Sequence, residues 1–257
     1  MPERAPLAVP GDSIFVYDGS FEGFLCCVHE SVYTREIPLD IVPAQHDPIT
    51  LYTVSSVETD VEKAGRVLTS ISVKISPDAQ RLIETVFLSC LERKELLMLR
   101  FLLRGYTEGG RILKALGDPD VAPLLRAQKS LYGEAHLLTG FVRFTDHSGS
   151  LVSTITPKNF ILPFIADHFT ARFDDENFLI FDKTHSAALV YQDRRREIIS
   201  VEDIEFPPVS EEEERYQALW KRFYSTVAIQ ARENPRCRMT HMPKRYWANM
   251  TEMREFL

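Results

Sequence analysis

The sequence predicts an α+β protein in which a mixed or antiparallel sheet is flanked by helices and followed by a C-terminal basic helix and tail. Apolar residues recur at helical spacing over about 61–138, whereas short strand-like runs fill about 141–201. A hydrophobic share of 44% in 257 residues is enough for a core. We therefore expect an α+β body over 1–206 and a C-terminal helix with a basic aromatic tail, packed on the body, over 207–257.

The beginning of the chain predicts a buried strand followed by a capped helix. Ser13–Tyr17 is a short apolar run, and Asp18-Gly19 is typical of a turn. Ser20 can cap a helix over residues 21–34, because its hydroxyl can accept a hydrogen bond from a backbone N–H group of the first turn. The segment lacks both the glycines of a dinucleotide fingerprint and the Gly-Lys-Ser of a P-loop, so it does not predict a nucleotide site.

Helical periodicity dominates the middle of the chain, after a second strand predicted at 51–57. Pro77 and Asp78 suit the first turn of a helix, and Gly109-Gly110 interrupts the pattern. The predicted helices cover residues 61–75, 77–90, 94–106 and about 118–138.

Alternation with a period of two begins at Phe141 and predicts a hairpin. Its strands are residues 141–145 and 151–156, joined by a turn at 146–149. Alternation places Arg143 on the same face as Phe141 and Thr145. The remaining predicted elements are a helix over 159–173, strands over 178–182, 187–192 and 197–201, and a final helix over about 212–231.

The cysteines and histidines do not predict a metal centre. Cys26, Cys27, Cys90 and Cys237 form no CxxC pair, and the histidines show no metal-ligand spacing. We expect no metal or other cofactor, and we expect the cysteines to be buried free thiols in a reducing cytoplasm. No stretch approaches the roughly 20 apolar residues that span a bilayer, so no membrane association is expected.

The last fifth of the chain changes character. From Lys221 to Arg254, eight basic residues are opposed only by Glu233 and Glu252, although the whole chain has a net charge of −7. Cationic groups neutralise phosphates and flat rings stack on bases, which makes this segment a candidate nucleic-acid surface. The alternative is a solvated helix whose aromatic residues pack on the core. The aromatic residues are Trp220, Phe223, Tyr224, Tyr246 and Trp247.

Three sequence blocks, taken together, resemble a known family. The blocks are YDGSFEGFL at 17–25, GFVRF at 140–144, and NPR at 234–236 followed by MPKRYW at 242–247. They are similar to a family of DNA metabolism or DNA repair proteins. Some members are encoded beside a radical-SAM protein, and others precede a uracil-DNA-glycosylase-like domain.

The resemblance implies an accessory protein that binds DNA in repair or modification and acts with a radical-SAM partner. The chain has no CxxxCxxC pattern, so any iron–sulfur chemistry would belong to that partner. At 257 residues the chain is too short to contain the glycosylase domain as well. The resemblance brings no catalytic residues with it.

Four cations of the C-terminal segment are candidates for phosphate contact. Arg236 and Arg238 offer planar guanidinium donors that suit bidentate contact, and Lys244 and Arg245 add two adjacent charges. Such contacts would fix the position of a DNA strand without reading its sequence.

Three further residues have two interpretations each. Tyr246 and Trp247 could wedge or stack against a base, whereas a packing role would make Trp247 an anchor that holds the tail to the body. Arg143 could point at nucleic acid or pair with an acidic neighbour.

Two other functions are consistent with the sequence. A metal-independent enzyme that acts on a nucleobase would need a pocket for an extruded base, and Asp18, Asp182 and His185 are its candidate catalytic residues. Alternatively, the basic tail of a protein-interaction scaffold would dock an acidic partner surface without contacting DNA.

Overall fold

The computed structural model describes residues 8–44, 51–206, 208–229 and 234–256, and it confirms the predicted α+β class. Two compact units, Met1–Ser130 and Leu131–Leu257, divide within the longest of the described helices. The helices are α1 (Phe21–Thr34), α2 (Val61–Lys74), α3 (Pro77–Phe87), α4 (Lys94–Glu108), α5 (Val121–Phe141), α6 (Leu162–Arg172), α7 (Glu211–Val227) and α8 (Pro235–His241). The strands are β1 (Val9–Pro10), β2 (Ser13–Tyr17), β3 (Glu36–Ile37), β4 (Asp40–Pro43), β5 (Thr53–Ser56), β6 (Thr145–Asp146), β7 (Ser150–Ile155), β8 (Asn177–Asp182), β9 (Ala187–Gln192) and β10 (Arg195–Ser200).

The first unit contains a parallel three-stranded sheet in the order β4-β2-β5. Every residue of the central strand β2 is buried, as its apolar run predicts for a strand covered on both faces. The Ser20 hydroxyl accepts a hydrogen bond from Gly23 N and caps α1, as the sequence predicts. β1, β3 and β4 were not predicted, because two to four residues are too few to show a period.

Helices α2, α3 and α4 confirm the predicted helical region. Asp60 caps α2 and Ser76 caps α3, and Pro77 occupies the first turn of α3. α4 ends at Glu108, and the next residue, Gly109, has a φ of +63°, a conformation that favours glycine. The apolar faces of these helices bury residues that include Ile71, Leu82, Ile83, Leu99 and Phe101.

The second unit contains a mixed five-stranded sheet in the order β10-β9-β8-β7-β6. β7 and β8 run parallel, and the other neighbours are antiparallel. Because this sheet contains both parallel and antiparallel neighbours, it is a mixed sheet, which is one of the two sheet types predicted. Helix α6, with Pro163 in its first turn as predicted, lies against β9 and β10.

The predicted hairpin is wrong in its first strand. Helix α5 continues to Phe141, and only Thr145–Asp146 pairs with β7. The reason is tertiary packing. The ring of Phe141 lies 5.8 Å from that of Tyr246, and the ring of Phe144 packs edge-on against Phe173 at 5.0 Å. These contacts hold a helix end and a short connection where alternation alone favours a strand.

The C-terminal part begins with α7, which Ser210 caps through Glu213 N. Its first turn is acidic, as expected for a helix start. The helix ends at Val227 and Ala228 is extended, so its predicted continuation is wrong at 228–229; the predicted end near residue 231 lies outside the described residues. Helix α8 and the 3-10 helices Lys244–Asn249 and Arg254–Phe256 follow. The predicted division into a body of 1–206 and a tail of 207–257 stays a prediction.

The cysteines follow the prediction only in part. Cys26 and Cys27 are buried free thiols, but Cys90 and Cys237 are exposed, so burial is wrong for these two. Cys90 lies between two helices and Cys237 on the short helix α8, where little of the chain covers them. Within the described residues, no helix has both the length and the apolar character that a membrane crossing requires.

Candidate nucleic-acid interface

The cationic tail, residues 234–251, contains four cations and no acidic side chain. Asn234 caps α8 by accepting a hydrogen bond from Cys237 N, and Pro235 occupies its first turn. After Pro243 the chain forms a 3-10 helix over Lys244–Asn249. Arg236 and Arg238 therefore lie on the short helix α8, and Lys244 and Arg245 lie at the start of the 3-10 helix.

A buried carboxylate fixes one end of the cationic tail. Tyr246 Oη donates to Glu134 Oε1 at 2.6 Å, and Arg245 Nη2 donates to the same oxygen at 3.0 Å. Glu134 also accepts hydrogen bonds from Lys158 N at 2.9 Å and from Asn159 N at 2.8 Å. Glu134 is 4% exposed and Tyr246 is 1% exposed. This group of five residues, the Glu134 network, therefore pins the tail to the loop that precedes α6.

Hydrogen bonding sets the protonation of the Glu134 network. Burial alone would raise the pKa of Glu134, but the hydrogen bonds from Lys158 N, Tyr246 and Asn159 outweigh it and lower that pKa below its usual 4.5. Burial and the neighbouring carboxylate together raise the pKa of Tyr246. The pair is therefore a carboxylate and a neutral phenol over the physiological range.

The lowered pKa of Glu134 predicts a loss of stability in acid. A carboxyl group whose pKa falls on folding stabilises the protein fully above its unfolded pKa, and this stabilisation is lost as the pH falls through the folded value. Wild-type stability should therefore decrease from about pH 5 downward, and the decrease should be shallower in Glu134→Gln. Urea unfolding over this pH range measures both slopes; equal slopes would contradict the assignment.

Trp247 is an anchor and not an exposed ring. Its indole is 5% exposed, and its Nε1 donates to Met242 O at 2.9 Å. The Lys244 ammonium lies 5.4 Å from the centre of the ring. Stacking on a base, which the sequence suggested for Tyr246 and Trp247, requires accessible ring faces. In this structure both rings are buried, so the interpretation of Trp247 as an anchor replaces the stacking role.

Arg143 pairs with an acidic residue, which is one of its two predicted roles. Its Nη2 donates to Glu252 Oε1 at 2.6 Å, and its Nη1 donates to Gly140 O at 2.8 Å. Trp220 Nε1 donates to Glu252 Oε2 at 3.0 Å, and the guanidinium lies 5.6 Å from the Trp220 ring. Burial would raise the pKa of Glu252, but the hydrogen bond from Arg143 outweighs it and the pKa is lowered. Most N–H donors of the Arg143 guanidinium therefore form hydrogen bonds within the protein.

Three cations of the tail remain without a carboxylate partner among the described residues. They are Arg236, Arg238 and Lys244. Arg236 is exposed, and Arg238 lies over the ring of Phe256 at 5.4 Å. Arg245 is paired with Glu134, whereas no ion pair among the described residues offsets these three charges. They are therefore the part of the tail best suited to bind phosphate.

The structure brings together two of the three candidate catalytic residues. His185 Nδ1 lies 2.7 Å from Asp182 Oδ2, and Asp182 is fully buried at the end of β8. The second oxygen of Asp182 accepts hydrogen bonds from Thr184 N and His185 N. A buried carboxylate that orients an imidazole can support general-base chemistry, but the same contacts also close the turn between β8 and β9.

Asp18, the third candidate, lies in the first unit, where it has a role in the turn before α1. Its Oδ1 accepts hydrogen bonds from Ser20 N at 2.9 Å and Ser20 Oγ at 2.6 Å, and its Oδ2 accepts one from Thr59 at 2.8 Å. The hydrogen bond from the Ser20 side chain is the main cause of a lowered pKa for Asp18. These bonds fit the turn role that Asp18-Gly19 indicates.

Sequence reasoning missed the two buried carboxylates that organise this region. Glu252 was visible as one of only two acidic residues opposing the basic segment, which is a signal for a specific ion pair. Glu134 carries no such signal, because it lies 111 residues before Arg245 in an ordinary helical pattern. Trp220 was noted among the aromatic residues, but its fixed position on Glu252 depends on the fold.

A family comparison covers this region. Residues 92–252 match a domain of unknown function, DUF4130. The matched range includes Glu134, Arg143, Trp220, Arg245 and Glu252. No curated protein and no solved structure matches the chain. Since the match covers well over half of the 257 residues, the chain belongs to the DUF4130 family.

Proposed function

We propose that this protein is a DNA-binding accessory protein of a repair or modification pathway in the cytoplasm. One observation carries the proposal: the cationic tail has no acidic residue, and Arg236, Arg238 and Lys244 have no carboxylate partner among the described residues. Positive charges that are not offset by ion pairs attract the DNA backbone. The resemblance of the three sequence blocks to DNA repair proteins supports the same conclusion.

The Glu134 network adds a physical reason to expect a defined contact. Tyr246 and Trp247 hold the tail by burial, and Arg245 holds it through an ion pair. The neighbouring cations are therefore presented from an anchored segment, which reduces the entropy lost on binding. Because the chain as a whole is acidic, with a net charge of −7, the DNA backbone would approach this cationic surface first.

A radical-SAM partner would supply the chemistry in this proposal. The four cysteines lie at positions 26, 27, 90 and 237, which does not match the CxxxCxxC spacing of a radical-SAM enzyme. The accessory role then consists of holding DNA while the partner acts on it. The partner is proposed from the resemblance to proteins that are encoded beside such enzymes.

Titration of the full chain with fluorescent single- and double-stranded DNA at low and high salt tests the DNA contact. The wild type should bind at low salt and weaken as salt rises, because phosphate contacts release counterions. The triple variant Arg236→Ala/Arg238→Ala/Lys244→Ala should bind about 10-fold or more weakly, with a salt slope smaller by about 2–3.

A control with the same change in net charge separates local contact from general electrostatics. Lys183, Arg195 and Arg215 are exposed cations of the second unit outside the tail, and their triple alanine variant should bind nearly as the wild type does. Equal weakening in both triple variants would mean that only total charge matters. Undetectable or salt-insensitive binding of the wild type would overturn the proposal.

Helix α7 provides an observation in favour of the scaffold alternative. Tyr216, Leu219, Phe223 and Val227 follow a helical spacing, and each is at least 57% exposed. An exposed apolar stripe of this kind is typical of a protein-binding helix. A scaffold that uses only this surface would fail the DNA titration, so the same experiment separates the two functions.

A further inference from the structure

We propose that a cleft in the second unit binds one unpaired nucleobase of a DNA single strand. This inference rests on the proposed function: the tail would contact the phosphates of the DNA, and the cleft would contact a base. The cleft has a volume of about 570 Å³ and lies between the end of α5, α6 and α7. That volume is within the usual range for small-molecule sites. Its aromatic lining consists of Phe144, Phe169, Phe173, Tyr216 and Trp220.

Trp220 is the side chain best placed to stack on a base. One edge of its indole is fixed, because Nε1 donates to the buried Glu252 at 3.0 Å, and the Phe223 ring stacks beside it with the ring centres 5.8 Å apart. Glu252 is itself fixed by Arg143, whose guanidinium also lies 5.6 Å from the indole ring. Nevertheless Trp220 is 40% exposed. An exposed ring whose orientation is already fixed loses little entropy when a flat ligand stacks on it.

Polar groups beside the rings suit the edge of a base. Gln217 Nε2 donates to Glu213 Oε1 at 2.8 Å, which fixes the orientation of the amide. Gln217 Oε1 then remains as an acceptor that receives no hydrogen bond from the described residues. The hydroxyl-bearing residues Thr139 and Thr251 also line the cleft. A purely apolar ligand would leave Gln217 Oε1 without a partner, whereas a nucleobase edge offers both donors and acceptors.

Arg172 supplies a cation for the phosphate that accompanies the base. It lines the cleft, is exposed, and its guanidinium lies 5.7 Å from the Phe173 ring. It has no carboxylate partner among the described residues. Aromatic rings together with a free guanidinium match a nucleotide better than a neutral ring or an apolar peptide side chain. The base must be unpaired, because base stacking covers its faces in a duplex.

Two oligomers distinguish base contact from phosphate contact. One is oligothymidylate of about 10 nucleotides, and the other has the same length but contains only abasic deoxyribose phosphates. Wild-type protein should bind oligothymidylate about 10-fold or more tightly than the abasic oligomer, since stacking needs the base. Trp220→Ala should remove most of this preference and leave abasic binding unchanged, whereas Trp220→Phe, which keeps a ring, should retain most of it.

Control variants make the outcomes separable. Leu219→Ala truncates an exposed neighbour on α7 that does not line the cleft, and it should keep the preference. The triple tail variant should weaken both oligomers alike. If the wild type binds both oligomers equally, or if Trp220→Ala keeps the preference, the base site is wrong and the DNA proposal stands. If neither oligomer binds, the base site is wrong. The proposed function fails as well only if the wild type also does not bind the double-stranded DNA of the titration.

Discussion

Replacing Glu134 with alanine is expected to lower the free energy of unfolding of the second unit by about 3–5 kcal/mol. The change removes the acceptor for the Arg245 guanidinium, the Tyr246 hydroxyl and the backbone N–H groups of Lys158 and Asn159. Most of these groups lie in a buried region, where a donor without a partner keeps its full desolvation cost. Urea unfolding followed by tryptophan fluorescence measures the loss, because Trp247 lies next to the network.

Two comparison variants identify the source of this loss. Glu134→Gln keeps an oxygen acceptor of similar shape but removes the charge. Its free energy of unfolding should therefore lie between those of the wild type and Glu134→Ala. Glu197→Ala removes an exposed carboxylate from β10 and should change stability by no more than about 0.5 kcal/mol. Equal losses in Glu134→Ala and Glu197→Ala would show that the network does not stabilise the tail.

The elements that the sequence predicts well are those whose signals are local. The cap at Ser20 and the first-turn residue Pro77 lie beside long periodic segments, so a local start signal and an apolar face agree. The strands β8 and β9 are likewise short apolar runs between turns. Local signals of this kind survive folding because tertiary packing reinforces them.

The residues 141–145 show where such signals fail. Alternation at these positions favours a strand, but Phe141 packs on Tyr246 and Arg143 pairs with Glu252, both of which are more than 100 residues away. These contacts are established only by the tertiary fold, and they favour the continued helix. The predicted strand is wrong because the long-range contacts outweigh a weak local preference.

The sequence predicted the location of the candidate site but not the contacts of its side chains. Charge counting identified the basic segment from Lys221 to Arg254, which contains the cationic tail, because net charge is a property of sequence alone. It could not separate Arg245, which is bound to Glu134, from Arg236, which has no carboxylate partner among the described residues. The sequence also does not show which aromatic rings are accessible. Tyr246 and Trp220 both lie among basic residues, but Tyr246 is buried whereas Trp220 is 40% exposed. Pairing and exposure are properties of the fold.

The ion pair of Arg143 and Glu252 is expected to show strong coupling in a double-mutant cycle. Arg143→Met should cost about 3–5 kcal/mol, because Glu252 would keep its charge in a buried position with Trp220 as its remaining side-chain donor. The double variant Arg143→Met/Glu252→Met removes both charges and should be more stable than Arg143→Met alone. Urea unfolding of the four proteins gives the coupling energy.

Arg194 and Asp175 form a matched reference pair on the surface of the same unit. Their atoms lie 2.7 Å apart, close to the 2.6 Å of Arg143 and Glu252, but their side chains are 74% and 78% exposed. Solvent screening should hold their coupling to about 1 kcal/mol or less. If the two cycles give equal couplings, or if the double variant Arg143→Met/Glu252→Met is less stable than Arg143→Met, burial does not strengthen this pair. The fixed orientation of Trp220, on which the nucleobase site depends, would then lack its support.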